Sequence, residues 1–319
     1  MALSTSQQNQ MSVVQNKIKL QLQTNSEINN VTEKQVSVEH IKDWIRKQPH
    51  LPDVEDDVFL MSFLRGCKYS PEKAKKKLDM YFTMRGVAPE FFNNRDPLLS
   101  DFKDFFKVAN VLTMPRLTQE GYRIVIFHTK NMDEMIWDPA FSMKLLFMLA
   151  DIRLNEERNN ETGDIYIFDG GSLKSNFLST QLPRYTPSLL KKCATCSIEA
   201  YPFIIKGVHV INISPVVETT TNFLKIFLKE KIKRRIHLHS SYKSLYNYIP
   251  KEFLPEEYGG QQGTMAEINK YWYGKLVSYR EWFLEQENIK TDESRRPEKP
   301  KTYGDFFGMD GSFKKLSVD

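Results

Sequence analysis

The sequence predicts an α/β fold: a mainly parallel sheet with crossover helices, preceded by a small helical module. Three observations predict it. Strand-like and helix-like segments alternate between residues 122 and 240, the order that a parallel sheet with crossover connections requires. Residues 37–97 carry helical periodicity alone. Residues 201–240 hold, in succession, a β-branched strand pattern, a Ser-Pro break and a basic amphipathic stretch. A chain of 319 residues can bury one large core, or a large one beside a small one.

Residues 1–36 are rich in Gln, Asn, Ser and Thr and predict a disordered polar arm, with nascent helix around Val13 to Leu22. The module follows over residues 37–97. Ser37 reads as the N-cap of a first helix carrying Ile41, Trp44 and Ile45. A second helix over residues 56–65 presents Phe59, Leu60, Phe63 and Leu64. A third has Ser70 as N-cap, Pro71 in its first turn and Gly86 as its stop, with Ala74, Leu78, Tyr81 and Phe82 on one face. Lys73, Lys75, Lys76 and Lys77 read as its solvated side.

Residues 98–262 form the larger domain. A strand is predicted over residues 122–129, and Asp138-Pro139 opens a helix reaching about Glu157. A strand over 165–169 closes on Gly170-Gly171, and Thr186-Pro187 opens a helix ending before Pro202. Residues 204–213 read as a buried central strand, which Ser214-Pro215 ends because proline has no N–H for a ladder. Leu224, Leu228, Ile232 and Ile236 then repeat every four residues, with Phe223 and Phe227 alongside, and predict one helix. Its flanks carry Lys225, Lys229, Lys231, Lys233, Arg234 and Arg235 against Glu230. Residues 237–239 read as a short last strand. Over residues 263–319, a helix spans 266–286 and a polar tail folds Phe306, Phe307 and Phe313 back onto the body.

The net charge of +5 is too small to imply nucleic acid. The N-terminus lacks a secretory signal, no apolar run approaches a membrane span, and Ala2 stands where myristoylation needs glycine. Three cysteines make no disulfide framework, so a reducing cytoplasm is expected. Phosphate-loop, dinucleotide and nucleophile-elbow motifs are missing. Cys193 and Cys196 have redox spacing but lie inside a helix, away from the N-terminal dipole that would acidify a thiol. They read as two small apolar side chains one turn apart. His237 and His239 share one side of a strand without a carboxylate or cysteine partner, so no metal is expected. Glu156-Glu157 reads as a solvated pair, and Asp169-Gly170-Gly171 as a turn. No enzyme and no cofactor are expected. Met143, Leu146, Phe147, Phe168, Cys196, Phe203, Val217 and Phe223 are an apolar excess drawn from five elements. Periodicity fits a filled core and a lipid-lined cavity equally. The basic stretch likewise fits a sheet-covering helix, a membrane dock or a nucleic-acid surface.

Five motifs in fixed order carry a resemblance: FLRGCKY (63–69), IFD (167–169), YPFIIKGVHVINISP (201–215), KEKIKRRIHLH (229–239) and LPEEYGG (254–260). Together they resemble the CRAL-TRIO lipid-binding family, in the branch of α-tocopherol transfer protein and its insect relatives; the tail motifs PKTYGDFFG and GSFKKL are similar to those of the insect members. The resemblance covers residues 37–319. It implies a helical module and a lipid-binding domain closed by a mobile gate helix. It also implies a non-enzymatic, monomeric, cytoplasmic carrier, peripheral at membranes and without nucleic acid. Such a carrier moves a tocopherol-, retinoid- or carotenoid-like lipid and unloads it at anionic or phosphoinositide lipids.

By the same resemblance the gate spans about 216–228, with Val217, Thr220, Phe223 and Leu228 facing the ligand. Met143, Leu146, Ala150, Phe168, Cys193, Cys196, Ser197, Tyr201 and Phe203 line the rest of the pocket, alongside Phe147 from the apolar excess. The phosphoinositide cleft falls on Lys68, Ile204, Lys231 and Arg235. Ile204 breaks the basic pattern, with Lys206 close by. Glu218 and Ala150 also depart from the tocopherol branch, which points to a different lipid. Rival readings are a phosphoinositide or phospholipid exchanger, and a non-lipid signalling scaffold.

Overall fold

Five strands form one sheet in the order β1-β2-β3-β4-β5: β1 Ala109–Thr113, β2 Arg123–Thr129, β3 Asp164–Asp169, β4 Ile205–Ile211 and β5 Ile236–Leu238. β1 runs antiparallel to β2, and the other pairs are parallel. This computed structural model describes residues 33–130, 138–157, 163–173 and 176–307. The predicted arm, apart from its last residues, and Phe313 lie outside them. β1 escaped the sequence reading because its five residues are all buried and show no alternation.

Pleating divides the sheet into two unlike faces. Ile124, Ile126, Ile165, Ile167 and Ile211 share one buried cluster with Leu245, Ile249, Phe253 and Leu254 from the chain after β5. The Tyr258 hydroxyl adds a short hydrogen bond to Asp169 there. The register places Val125, Phe127, Tyr166, Phe168, Val208, Ile236 and Leu238 on the opposite face. Of these, Phe127, Tyr166, Val208, Ile236 and Leu238 are only half-buried, and Phe168 is 40% exposed.

The helical module comprises α1 (33–46), α2 Asp57–Gly66, α3 Pro71–Val87, α4 Pro89–Phe92 and α5 Ser100–Val108. The Asp56 carboxylate caps α2 by accepting from the amides of Val58 and Phe59. Four local expectations shift. Ser37 lies inside α1 and donates to the Glu33 carbonyl. Ser70 precedes α3 without a side-chain cap, and Gly86 sits in the last turn rather than ending it. Lys77 is not solvated: its ammonium donates to the carbonyls of Ile198 (2.7 Å) and Tyr201 (3.0 Å).

α6 Pro139–Glu156 starts on Asp138, whose carboxylate accepts from the Ala140 amide. After α7 Phe177–Thr180 comes α8 Pro187–Thr195, continued by one π-helical turn, Cys196–Ala200. The single helix expected after Pro215 is two: α9 Pro215–Lys225 and α10 Glu230–Lys233. Lys225, Lys229 and Lys233 are like charges four apart, which disfavours a continuous helix. Tight turns, with Phe227 and Leu228 amides bonded to Leu224 and Lys225 carbonyls, replace it, and Ile236 joins β5 instead. The expected last helix also divides, into α11 Met265–Ser278 and α12 Arg280–Gln286. α13 Tyr303–Phe307 returns to the body, where Phe307 is buried among module residues. Glu156 and Glu157 are paired rather than solvated, with Lys275 and with Arg153 and Arg123.

Candidate functional site

α6 is apolar nearly all round and therefore lies between two cores. Leu145, Met148, Leu149 and Ile152 join the sheet cluster, whereas Phe147, Ala150 and Leu154 join the module cluster with Cys196 and Tyr201. Where α6 and the π turn cross the half-buried sheet face, a cleft remains. It holds about 390 Å³ including its open mouth, although only about 20 Å³ clears every wall by a water's radius. Thr113, Val125 and Tyr166 come from the sheet, and Leu146, Phe147, Leu149, Ala150 and Arg153 from α6. Ser197, Tyr201 and Phe203 complete the lining. Phe147 stacks on Tyr201 at 5.1 Å, and Tyr201 on Phe203 at 6.2 Å. The cleft thus gathers Leu146, Phe147, Ala150, Ser197, Tyr201 and Phe203 from the expected positions.

The remaining positions sit around it. Met143 and Cys193 are partly buried and Cys196 fully buried in the module cluster. Burial pushes the Cys193 thiol up to about 12 and raises that of Cys196 well above the usual range. Neither is poised as a thiolate. Tyr166, Phe168 and Gly170 follow one another along one face of β3 and its continuation. They lead from the cleft to α9, where Val217 seats on Gly170: a Cβ built there would lie 2.5 Å from Val217 Cγ2. Val217 and Thr220 are buried. Phe223 packs on Phe227 at 5.6 Å, and Leu228 lies half-buried beyond the helix end. The expected pocket residues therefore divide: six line the cleft, Met143, Cys193 and Cys196 pack in the module cluster, Val217, Thr220 and Phe223 lie on α9 with Leu228 past its end, and Phe168 lies on β3.

Of the basic positions, Arg235 reaches residue 205 and Lys206 lies within β4. Gly66 is pressed against Pro202, whose carbonyl oxygen would stand 1.9 Å from an added Cβ. Lys68, two residues on, is exposed on a left-handed backbone (φ 54). The Arg235 guanidinium donates to the Ile205 carbonyl. Exposed Lys206 holds its ammonium 5.0 Å from the Tyr122 ring centre, and Lys231 is exposed on α10. Ile204 is half-buried, its carbonyl accepting from the Asp164 amide. Lys77 was missed: desolvation lowers its pKa, and it ties α3 to the π turn. The available signal was its place one turn before Tyr81, beside the buried face.

Among the described residues no group of three or more His, Cys, Asp or Glu is arranged to hold a metal. No described helix is long and apolar enough to cross a membrane. A two-faced sheet, sealed on one side and crossed on the other by α6 over an aromatic cleft, defines the class. Residues 108–260 match the CRAL/TRIO domain, and residues 30–102 match the Pinta-like UBA domain. The chain thus carries a CRAL/TRIO domain over residues 108–260. It is 28% identical to the alpha-tocopherol transfer protein-like protein of Homo sapiens over 253 residues, covering 78% of this chain and 71% of that one. It is 27% identical to clavesin-1 of Rattus norvegicus over 232 residues, covering 70% and 62%. The crystal structure of Sfh5 aligns with a TM-score of 0.45 at 14% identity, over 74% of this chain and 90% of that one.

Proposed function

We propose that this protein carries a hydrophobic lipid between membranes, lodging it against the half-buried sheet face and unloading it where anionic lipid meets the basic side chains. The observation that carries the reading is the contrast between the two faces of one sheet. Ile124, Ile126 and Ile167 are wholly buried, whereas Phe127, Tyr166, Val208 and Phe168 keep apolar surface uncovered. A folded chain leaves such a strip uncovered at a cost, and a guest removes it. The clear room in the cleft is small, so loading requires α9 and the surrounding side chains to yield. A tocopherol-, retinoid- or carotenoid-sized guest hides on the order of 400 Å² of apolar surface, roughly 10 kcal/mol gross. Release from such a site is slow in water and needs a trigger.

Exposed lysines near an anionic bilayer each contribute about 1 kcal/mol. Lys68→Ala/Lys231→Ala removes two of them without touching the hydrogen bond from Arg235 to β4. The expected result is ligand transfer to phosphoinositide-containing vesicles slowed about 30-fold, with transfer to neutral vesicles unchanged. Equal rates for variant and wild type on anionic vesicles would refute the trigger. Mass spectrometry of lipid co-purified with the protein tests the cargo itself, and a phospholipid there would favour an exchanger.

A further inference from the structure

Three of the five polar side chains in the wall of the cleft are already committed. Arg153 donates through Nε and Nη2 to Glu157 (3.1 and 3.2 Å), and through Nη1 and Nη2 to Asp164 (2.9 and 2.7 Å). Its charge is therefore matched by two carboxylates. The Tyr166 hydroxyl donates to Asp164 (3.0 Å), and that of Tyr201 to Asp151 (2.7 Å).

Two hydroxyls are the exceptions, that of Ser197, half-buried, and that of Thr113, which is buried. Thr113 ends β1 opposite Val125, on the same face as Tyr166. The residue is 2% exposed, it lines the cleft, and its Oγ1 has no hydrogen-bond partner. A buried hydroxyl is unfavourable unless something pairs with it. The backbone carbonyl of Thr113 accepts from the Trp272 indole N–H at 2.8 Å. The strand end is pinned, and the hydroxyl lies buried in the wall of a cleft that must widen before a guest can reach it.

We propose that Thr113 Oγ1 is the polar anchor of the cargo, pairing with one neutral hydroxyl or carbonyl oxygen at the end of an otherwise apolar molecule. The inference rests on the carrier reading above and narrows it to neutral amphiphiles. A carboxylate- or phosphate-ended lipid placed there would meet no unmatched cation among the described lining residues, and would lose its hydration without a counter-charge. An oxygen-free hydrocarbon would leave Thr113 Oγ1 unpaired, and a site built around a polar group rejects analogues that lack its partner.

The test uses three matched C20 isoprenoids, phytanol, phytane and phytanic acid, delivered from cyclodextrin to the full-length chain at pH 7.4 and followed by tryptophan fluorescence. Wild type is expected to bind phytanol at least tenfold more tightly than phytane or phytanic acid. Thr113→Val keeps the branched shape and the backbone carbonyl; it should weaken phytanol about tenfold, to the level of phytane, and leave phytane unchanged. Thr113→Ser should preserve the preference. A phytanol-to-phytane ratio unmoved by Thr113→Val, as an ordered water at Oγ1 would give, overturns the anchor. So does tightest binding of phytanic acid. If all three bind without preference, the anchor alone falls. If none binds, the carrier reading falls and the anchor with it.

Discussion

Asp151 shows what one residue does in this fold. Its carboxylate accepts from Arg85 (2.7 Å), Arg95 (2.6 Å), Tyr81 (3.0 Å) and Tyr201 (2.7 Å), and both ion pairs are essentially solvent-free. Burial alone would raise its pKa; the two guanidiniums outweigh that and hold it below the usual carboxylate range. The network joins α3, α6 and the residue that closes the π turn. Removing one partner from a buried ion group strands the others. Asp151→Asn is therefore expected to lose about 3–5 kcal/mol of stability in urea denaturation. A loss below about 1 kcal/mol would show that the guanidiniums find other partners. Little of this was legible in the sequence, because the two arginines lie 66 and 56 positions from the aspartate. Tyr81 on the apolar face of α3 was legible, since its spacing from Ala74 and Leu78 is local.

At the scale of an element, α9 is held by contact with a residue that has no side chain. Val217 Cγ2 and Cγ1 would lie 2.5 and 2.9 Å from a Cβ on Gly170. Gly170→Ala therefore pushes the helix away from β3. Overpacking of this kind costs typically 1–3 kcal/mol. Bound lipid should dissociate about tenfold faster, and Gly170→Ala/Val217→Ala, which restores the space, should recover the original rate. Dissociation unchanged in the single variant would mean that α9 does not close the site. The sequence announced the start of this helix through Ser214-Pro215, and the Ser214 hydroxyl does accept from the Val217 amide at 3.4 Å. Its end was misplaced, because the four-residue repeat of Leu224, Leu228 and Ile232 continues through a stretch whose lysines oppose a helix. Spacing records which side chains want burial; the pairing of Ile236 with Val208 takes the end of that repeat into the sheet instead.

Across the whole molecule, stability is expected to fall with mild acid. His209 is depressed to about 4, first by desolvation and then by the neighbouring His239 and His237. His239 is lowered by desolvation and by His237, and His50 by desolvation and by Arg296. The cluster is tight: His209 Nδ1 lies 2.9 Å from His239 Nε2, and the Tyr248 ring packs against all three imidazoles. Each native pKa lies below the unfolded value near 6.5, so the unfolded chain binds more protons in between. The stability these groups contribute is present above pH 6.5 and is lost as pH falls toward 4. His209 alone accounts for up to about 1.4 kcal/mol per pH unit in that window. Thermal melts should be flat from pH 8 to 7 and drop between pH 6 and 4.5, with a shallower drop in His209→Gln. Identical Tm at pH 7 and 5 would rule out neutral buried imidazoles.

The sequence by itself determined the alternation of strands β2 to β5 with intervening helices, the proline stop at the end of β4 and the helix starts at Asp56, Asp138 and Thr186. These depend on residues within a few positions of one another, whose spacing and hydrogen-bonding capacity act locally. Tertiary structure decided which face of the sheet was sealed, that Lys77 turned inward, that Asp151 met two arginines and that Thr113 was left without a partner. Each of these is a meeting of side chains far apart in the chain, and only the packed backbone brings them within bonding distance.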